Sequence, residues 1–267
     1  MKTTRILLLP LLSALFLPSG AAAQGTDNAL VTDFGLRTTV GLDYKITKGL
    51  HLGAEYQLRT EDFSSKIDRH QATIGLSWKA ADFLKIGAGY TFFYRQGSKA
   101  WDTRHRLYVD ATLGWRAGDW RFSLKEQLRL THKTEDLNAW QETRNPLVLK
   151  SRIKVQYKGF RRVEPYVFFE ARNIFNDPAC SAVWHSQSQS YSDYAFLGYQ
   201  HAYFNRFRGA LGVQWQISRH HGLDFYVMED YCRDKRIDTN QEGTRLKSLT
   251  WDRSLNTIAG IAYLFSF

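Results

Sequence analysis

Apolar and polar residues alternate one by one along most of this chain. The C-terminal run is a clear example: Leu255, Thr257, Ala259, Ile261, Tyr263, Phe265 and Phe267 share one face, and Asn256, Gly260, Ala262 and Ser266 share the other. Ile258 and Leu264 are apolar exceptions on the second face. Alternation with a period of two is typical of β-strands whose two faces meet different surroundings. We therefore predict an all-β protein.

Ten more segments alternate in the same way. They cover residues 34–44, 50–59, 71–78, 84–92, 106–115, 120–130, 149–157, 163–172, 206–217 and 223–228. Short connections such as KITKG, KAAD and RAGD take turns with longer stretches, among them 132–146, 173–202 and 232–252. Short turns at one end and long loops at the other are typical of a transmembrane β-barrel.

The number of strands is a problem of parity. Eleven recognisable strands do not suit an antiparallel bacterial barrel, which normally has an even number. Residues 26–32 could add a short first strand and give twelve, or ten strands could close the barrel with one displaced. A third arrangement threads the N-terminal segment through the lumen. We predict a transmembrane antiparallel up-and-down β-barrel of about twelve strands, with ten as the alternative.

One carboxylate interrupts the apolar face of the segment 120–130. Glu126 falls among its leucines, where a side chain faces lipid. A charged group there is costly, and more so near the middle of the bilayer. We therefore expect a bulge at Glu126 or a position near the membrane interface, rather than a functional acid.

The N-terminus has the order of a secretory signal peptide. Lys2 and Arg5 precede the apolar run 6–17, and small residues occupy 21–23. Cleavage near Ala23 or Gln24 would divide the chain into a signal peptide, residues 1–24, and a barrel, residues 25–267. The apolar run is too short for a spanning helix. A mean hydropathy of −0.41 suits alternating strands, since half of each strand is polar.

The aromatic C-terminus predicts where the barrel is inserted. Tyr263, Phe265 and Phe267 resemble the C-terminal signal read by the outer-membrane barrel-assembly machinery. We expect that machinery to be a partner during biogenesis, and outer-membrane lipids and lipopolysaccharide to be the partners of the mature protein. A net charge of +10 is then explained by anions of the outer leaflet, and we expect no nucleic acid partner.

The inward face of the predicted barrel is rich in basic residues. These are Arg37, Arg59, Lys85, Arg106, Arg121, Lys125, Arg129, Lys150, Arg152, Lys154, Arg172, Arg206 and Arg208. The inward acids are fewer: Asp43, Glu55, Asp110, Glu164, Glu170 and Asp224. Charge that lines a water-filled pore sets its ion preference, here for anions. The alternative is a plug of interdigitated salt bridges, which small barrels can hold.

Few residues suggest catalysis or metal binding. The loop AVWHSQSQSYSDY supplies His185, Ser186, Ser188, Ser190 and Asp193, the residue types of a serine hydrolase, without a framework to orient them. His220 and His221 lie in a short turn with no accompanying ligand cluster, so we predict no metal and no cofactor.

Cys180 and Cys232 are the only cysteines. In an oxidising compartment they could pair across the loops at one end of the barrel, or stay as free thiols, and the sequence leaves both open.

Three features together resemble a known family. They are the opening DFGLRTTVGLDYKITKGLHLGAEYQLR, the middle LKIGAGYTFFYR followed by RHRLYVDATLGW with its pair His105-Arg106, and the aromatic C-terminus. The chain resembles domain-of-unknown-function family 2490, a group of uncharacterised outer-membrane β-barrel proteins. The resemblance implies a barrel and assigns no catalytic residue.

Two classes of function follow from these observations. The first is a non-enzymatic outer-membrane barrel, either a narrow porin-like pore with anion preference or a plugged structural barrel. The second is a lipid-modifying barrel enzyme of the lipid A deacylase or phospholipase type, for which no catalytic residue can be assigned.

Overall fold

The computed structural model describes residues 26–97 and 100–267, and within them the chain is almost entirely β-strand. The predicted signal peptide, residues 1–24, lies outside the described residues. The strands are β1 Thr26–Thr47, β2 Leu50–Glu61, β3 Lys66–Ala81, β4 Leu84–Gln96, β5 Trp101–Ala117, β6 Trp120–Lys133, β7 Leu147–Tyr157, β8 Val163–His185, β9 Ser190–Gln216, β10 His221–Thr239 and β11 Leu246–Ser266. The prediction of an all-β protein is confirmed.

The strands close into one barrel in chain order, and β1 pairs with β11. All other neighbours are antiparallel, but β1 and β11 run parallel. A closed barrel with an odd number of alternating strands must contain one such pair. The described residues thus form eleven strands, between the twelve and the ten considered from the sequence. Residues 26–32 are the start of β1 and not a separate strand.

The parallel closure fixes the two ends of the chain. Thr26 pairs with Thr250, and Asp43 pairs with Ser266. The Phe267 N–H donates to the Asp43 carbonyl oxygen at 2.9 Å. We call the end with the tight β1–β2, β3–β4, β5–β6, β7–β8 and β9–β10 connections the turn end, and the opposite end the loop end. β1 therefore begins at the loop end, whereas the chain terminates at the turn end.

Two hairpins protrude from the loop end. Residues 173–202 and 232–252 were expected to be loops, and this is wrong: β8 continues to His185, β9 begins at Ser190, and β10 and β11 extend to Thr239 and from Leu246. The hairpins pack on each other through Cys180, Ile237, Leu246 and Leu249. Both of their faces meet protein, and the β8–β9 register shifts several times, so clean alternation is lost there.

The outer wall is apolar and carries aromatic residues near both ends. Of the outward positions expected from alternation, seven are exposed and two, Leu52 and Val155, are half-buried; the exposed ones are Leu36, Val40, Ile74, Leu113, Leu211, Val213 and Ile261. Near the turn end Trp115 stacks on Phe122 with ring centroids 5.4 Å apart. Near the loop end Tyr94 stacks on Trp101 at 4.7 Å. Aromatic residues in two rows flanking an apolar band are typical of membrane barrels.

Glu126 lies on this outer wall without a bulge. It pairs regularly with Ala111 of β5 and Ser151 of β7, and the register on both sides is continuous. The Ser151 hydroxyl donates to one Glu126 oxygen, and the other oxygen is buried without a partner. Glu126 follows Trp120, the first residue of β6, by six positions and lies near the middle of the strand. The expectation of a bulge is therefore wrong, because strand pairing on both sides holds the residue in register; a position near the interface stays a prediction.

Candidate functional site

The inward side chains enclose a central cavity of about 370 Å³ within the barrel. Its basic residues come from six strands: Arg37, Arg59, Arg106, Lys125, Arg129, Lys150, Arg152 and Arg208. Only two carboxylates, Glu55 and Asp224, line it with them. Strand alternation places these side chains inside while their neighbours face outward. The cavity is therefore strongly cationic.

Part of this charge is neutralised by two buried carboxylates on one side of the barrel. Glu170 on β8 accepts from Lys150 at 3.1 Å, Arg152 at 2.5 Å and Arg208 at 3.0 Å. Asp230 on β10 pairs with Arg208 at 2.9 Å and with Arg206 at 3.3 Å. Shared carboxylates of this kind fix the side chains along the wall between β7 and β10, since each charge has several partners.

Four arginines of the cavity have no such partner. Arg59 donates to the Gln57 side-chain oxygen at 2.7 Å, and Arg129 donates to that of Gln127 at 2.6 Å. These acceptors are neutral. Arg106 donates to the Thr131 hydroxyl at 2.9 Å, and its guanidinium lies 4.5 Å from the Phe93 ring centroid.

The fourth is Arg37, whose Nε is buried without a hydrogen-bond partner. Within the described residues, Arg37, Arg59, Arg106 and Arg129 form no ion pair with a carboxylate, and we call them the unpaired arginines. They lie on β1, β2, β5 and β6.

Strand pairing also aligns arginines in a row. Arg37 lies opposite Arg59, Arg59 opposite Arg69, and Arg69 opposite Arg95. Like charges directly opposite each other destabilise a sheet. Asp68 relieves the repulsion at one position, where it accepts from Arg69 at 2.6 Å. Within the described residues Arg37, Arg59 and Arg95 form no ion pair, although Asp33, Glu61 and Asp230 line the cavity beside the row.

The other predicted luminal residues lie outside this central cavity. Lys85 lines a second cavity nearer the turn end, and Lys154 lies over the Tyr166 ring at 3.7 Å. Arg172 donates to Asn205 at 2.7 Å, and Arg206 pairs with Asp230. Arg121 is exposed at the turn end. Five of the thirteen basic residues assigned to the lumen from sequence therefore do not line the central cavity.

Three luminal arginines and one acid were missed from the sequence. Arg69, Arg95 and Arg104 lie at the loop ends of β3, β4 and β5, beyond the segments recognised by alternation. Extending the same period of two by one or two steps would have found them. Asp230 was missed because the tenth segment was ended at residue 228, whereas β10 continues to Thr239.

The central cavity joins further cavities toward both ends. It shares Glu55, Thr73, Tyr108 and Lys125 with a cavity of about 430 Å³ nearer the turn end. It shares Arg37, Arg59 and Arg208 with one of about 230 Å³ nearer the loop end. The three cavities are therefore neighbours along the lumen, and each is bordered by arginine or lysine.

The serine-rich hairpin tip lacks hydrolase geometry. His185 Nε2 lies 2.7 Å from the Ser192 hydroxyl, which in turn donates to Asp193 at 3.0 Å. In a triad the histidine contacts both the serine and the acid. Here the acid contacts the serine, and Ser188 bonds only to Ser190. All of these groups are at the surface of the β8–β9 tip, with no donors arranged for an oxyanion.

The histidine pair and the cysteines also have structural surroundings. His220 Nδ1 lies 2.7 Å from the Ser266 carbonyl oxygen, and His221 Nδ1 lies 2.6 Å from the Tyr263 hydroxyl. No cluster that could hold a metal ion occurs among residues 26–97 and 100–267. Cys180 and Cys232 are buried, free thiols. A bond between them would require the protruding hairpins to rearrange, since Cys180 packs in the hairpin core and Cys232 faces Arg206.

A second charged cluster joins the protruding hairpins. Lys235 on β10 donates to Asp177 at 2.9 Å, to the Pro178 carbonyl and to His201 Nδ1 at 2.9 Å. Burial raises the pKa of Asp177. Burial and the neighbouring Lys235 lower the pKa of His201 to about 4. The three donors of the ammonium are all used, so the cluster pins the two hairpins together.

Comparison with known proteins gives one match. The family model described as protein of unknown function (DUF2490) matches residues 34–241. That range begins within β1 and ends two residues after β10. No curated protein and no solved structure matches the chain.

Proposed function

Since the chain belongs to the DUF2490 family of proteins of unknown function, we propose that it is an outer-membrane β-barrel whose narrow lumen passes small solutes and prefers anions. The observation that carries the proposal is the set of four unpaired arginines around the central cavity. Fixed positive charge in a low-dielectric wall attracts anions and repels cations.

The outer-membrane location is supported by three features. The outward face is apolar between two rows of aromatic residues, as a wall in contact with lipid requires. The N-terminal residues 1–24 read as a secretory signal peptide. The chain ends on Phe267, whose ring lies 6.0 Å from that of Tyr44 in an edge contact at the closing seam. Among the described residues there is no helix long and apolar enough to cross a membrane.

The pore is supported by the series of cavities along the lumen. A salt-bridge plug would need carboxylates between the basic side chains on all sides. Instead, Glu170 and Asp230 pair with basic side chains of β7 and β9, and the four unpaired arginines of the central cavity have no ion pair among the described residues. We infer that water and small anions occupy the space beside these arginines.

Flux through proteoliposomes tests the proposal. Vesicles holding the refolded protein and a chloride-quenched dye are expected to take up chloride faster than they take up thallium, a small cation. The double substitution Arg59→Gln and Arg129→Gln should reduce the chloride preference. Arg236→Gln, which removes one positive charge from an exposed position of β10, should leave it unchanged, whereas Arg59→Gln alone, with the same loss of one charge, should reduce it.

Two outcomes would contradict the pore. Faster thallium uptake would reverse the predicted selectivity. No uptake of either ion by folded protein would leave a plugged structural barrel or a lipid-modifying enzyme. Mass spectrometry of lipid A after incubation with the purified protein would then decide between those two.

A further inference from the structure

The central cavity has the charge of a binding site as well as of a passage. Arg37, Arg59, Arg106 and Arg129 border about 370 Å³ of space and have no carboxylate partner among the described residues. Buried N–H groups without acceptors, as at Arg37 Nε and Arg208 Nε, are costly unless something fills the gap. Anion preference in a pore requires only a positive electrostatic field. The buried N–H donors of these arginines also require a hydrogen-bond acceptor.

The strand register is a second, independent reason to expect a bound anion. Arg37, Arg59, Arg69 and Arg95 occupy facing positions on four consecutive strands, and among the described residues only Arg69 of the four forms an ion pair, with Asp68. Directly facing like charges oppose strand pairing. Because an anion that binds only the folded barrel would offset this repulsion, its binding should stabilise the fold.

The unpaired arginines are already oriented for a ligand. Gln57 holds Arg59 through Nε, and Gln127 holds Arg129 through Nε. With Nε fixed, the terminal nitrogens of Arg129 remain available to the cavity, and Arg59 uses one of its two terminal nitrogens in a long bond to the Gln71 side-chain oxygen at 3.3 Å. A guanidinium held in this way binds the paired oxygens of a phosphate with little loss of side-chain entropy.

The chemistry of the lining selects the ligand class. Hydroxyl groups of Thr39, Thr73 and Thr91 and the amide of Gln71 add donors around the cavity, whereas Phe168 and Met228 are among its few apolar side chains. A ligand that matches this lining has acceptor oxygens on all sides. Several uncompensated cations call for more than one negative charge.

From these features we propose that the lumen holds a small, multiply charged oxyanion of the phosphate type, such as pyrophosphate or a small phosphate ester, at the unpaired arginines. The proposal rests on the proposed function only for access to the cavity. It makes the barrel selective among anions, because chloride lacks the paired oxygens that the guanidinium groups recognise.

Isothermal titration of the refolded protein in detergent tests the site. Pyrophosphate is expected to bind with one-to-one stoichiometry and more tightly than inorganic phosphate, while chloride at the same ionic strength gives no saturable heat. Arg59→Gln and Arg129→Gln should each weaken pyrophosphate binding by roughly tenfold or more, since each removes a charge-assisted contact. Arg59→Lys should recover only part of the loss, because lysine cannot bind bidentately. Arg236→Gln is the matched control.

Heat-modifiable migration on gels shows whether each variant is folded. If the arginine variants fail to fold, thermal unfolding of the unmodified protein replaces them: pyrophosphate should raise the unfolding temperature more than sodium chloride of equal ionic strength. Equal shifts, or binding that survives Arg59→Gln and Arg129→Gln in folded protein, would overturn the site. Chloride flux without pyrophosphate binding refutes the site and leaves the pore standing, whereas binding without flux does the reverse.

Discussion

At the scale of single residues, the lipid-facing carboxylate at Glu126 is the least expected feature of the wall. It sits in regular pairing between Ala111 and Ser151, with one oxygen buried and unpartnered. Replacing it with leucine should stabilise the barrel by up to about 2 kcal/mol, since a polar group leaves the lipid face. Urea unfolding in lipid vesicles, followed by tryptophan fluorescence, measures the change.

Leu113→Arg is the matched opposite substitution on the same face. It places a charge on the outward side of β5 and should destabilise the barrel by about 2–4 kcal/mol if the position is near mid-depth. Loss of stability in Glu126→Leu, or full stability in Leu113→Arg, would show that the outer wall is not the lipid-facing surface described here.

Alternation alone predicts which basic residues point inward, but not which of them are neutralised. Arg208 and Glu170 are 38 residues apart, and their contact depends on the register of β8 against β9. The unpaired state of Arg37 and Arg129 likewise follows from which strands face each other across the closed lumen. The alternation of single residues does not say which strands face each other across the lumen. The sequence could therefore predict a basic lumen but not its binding site.

At the scale of strands, the parallel pairing of β1 with β11 is the arrangement most open to a direct check. In a background with Cys180→Ala and Cys232→Ala, cysteines at Val40 and Tyr263, which face each other across the seam, should cross-link on mild oxidation. Cysteines at Val40 and Ala259 should not, because Ala259 pairs with Leu36. Electrophoresis of unreduced samples separates the two outcomes. Cross-linking only in the second variant would refute the register.

Phe267 closes the same seam through its backbone and ring. Its N–H bonds to Asp43, and its ring contacts Tyr44 and Phe265. Deleting Phe267 should slow insertion and leave periplasmic intermediates, because the closing strand loses its last contacts at the turn end. Cell fractionation with pulse labelling measures the rate. Normal outer-membrane levels without Phe267 would remove the basis for the assembly role of the C-terminus.

The cluster around Lys235 makes the protruding hairpins sensitive to acid. The pKa of His201 falls to about 4 in the fold, against about 6.5 in an unfolded chain, so the neutral ring is favoured in the fold. The stability it contributes is complete above about pH 6.5 and is lost as the pH falls toward 4. The protection factors of amides in residues 173–205, taken relative to the intrinsic exchange rate at each pH, should therefore fall over this interval.

His201→Gln supplies the comparison for that measurement. Glutamine can accept a hydrogen bond from Lys235 but does not titrate. The loss of protection against hydrogen exchange at acid pH should therefore be smaller in this variant. The raised pKa of Asp177 acts in the opposite sense, but it is present in both proteins and cancels in the difference. An identical pH profile in the variant would exclude His201 as the cause.

The strands of the barrel could be predicted because each has one apolar face on the outer wall and one polar face toward the lumen. The same rule fails in the hairpins, where Cys180 and Ile237 pack against each other in a core between the hairpins. It also says nothing about the closing pair. Eleven strands close only if one pair is parallel, and the sequence of β1 resembles that of any other strand.

At the scale of the whole molecule, the barrel neutralises only part of the positive charge in its lumen. Glu170 and Asp230 pair with basic side chains of β7 and β9, while the four unpaired arginines form no ion pair among the described residues. Basic side chains of both groups line the central cavity. In the proposed function, the unpaired arginines supply the positive field that attracts anions.

The reversal potential of the refolded protein in a planar bilayer under a KCl gradient tests this account most directly. If the unpaired arginines set the field in the lumen, the reversal potential will lie on the chloride side of zero, and Arg59→Gln with Arg129→Gln will move it toward zero. A reversal potential on the potassium side, or a chloride preference that both substitutions leave unchanged, would contradict the account.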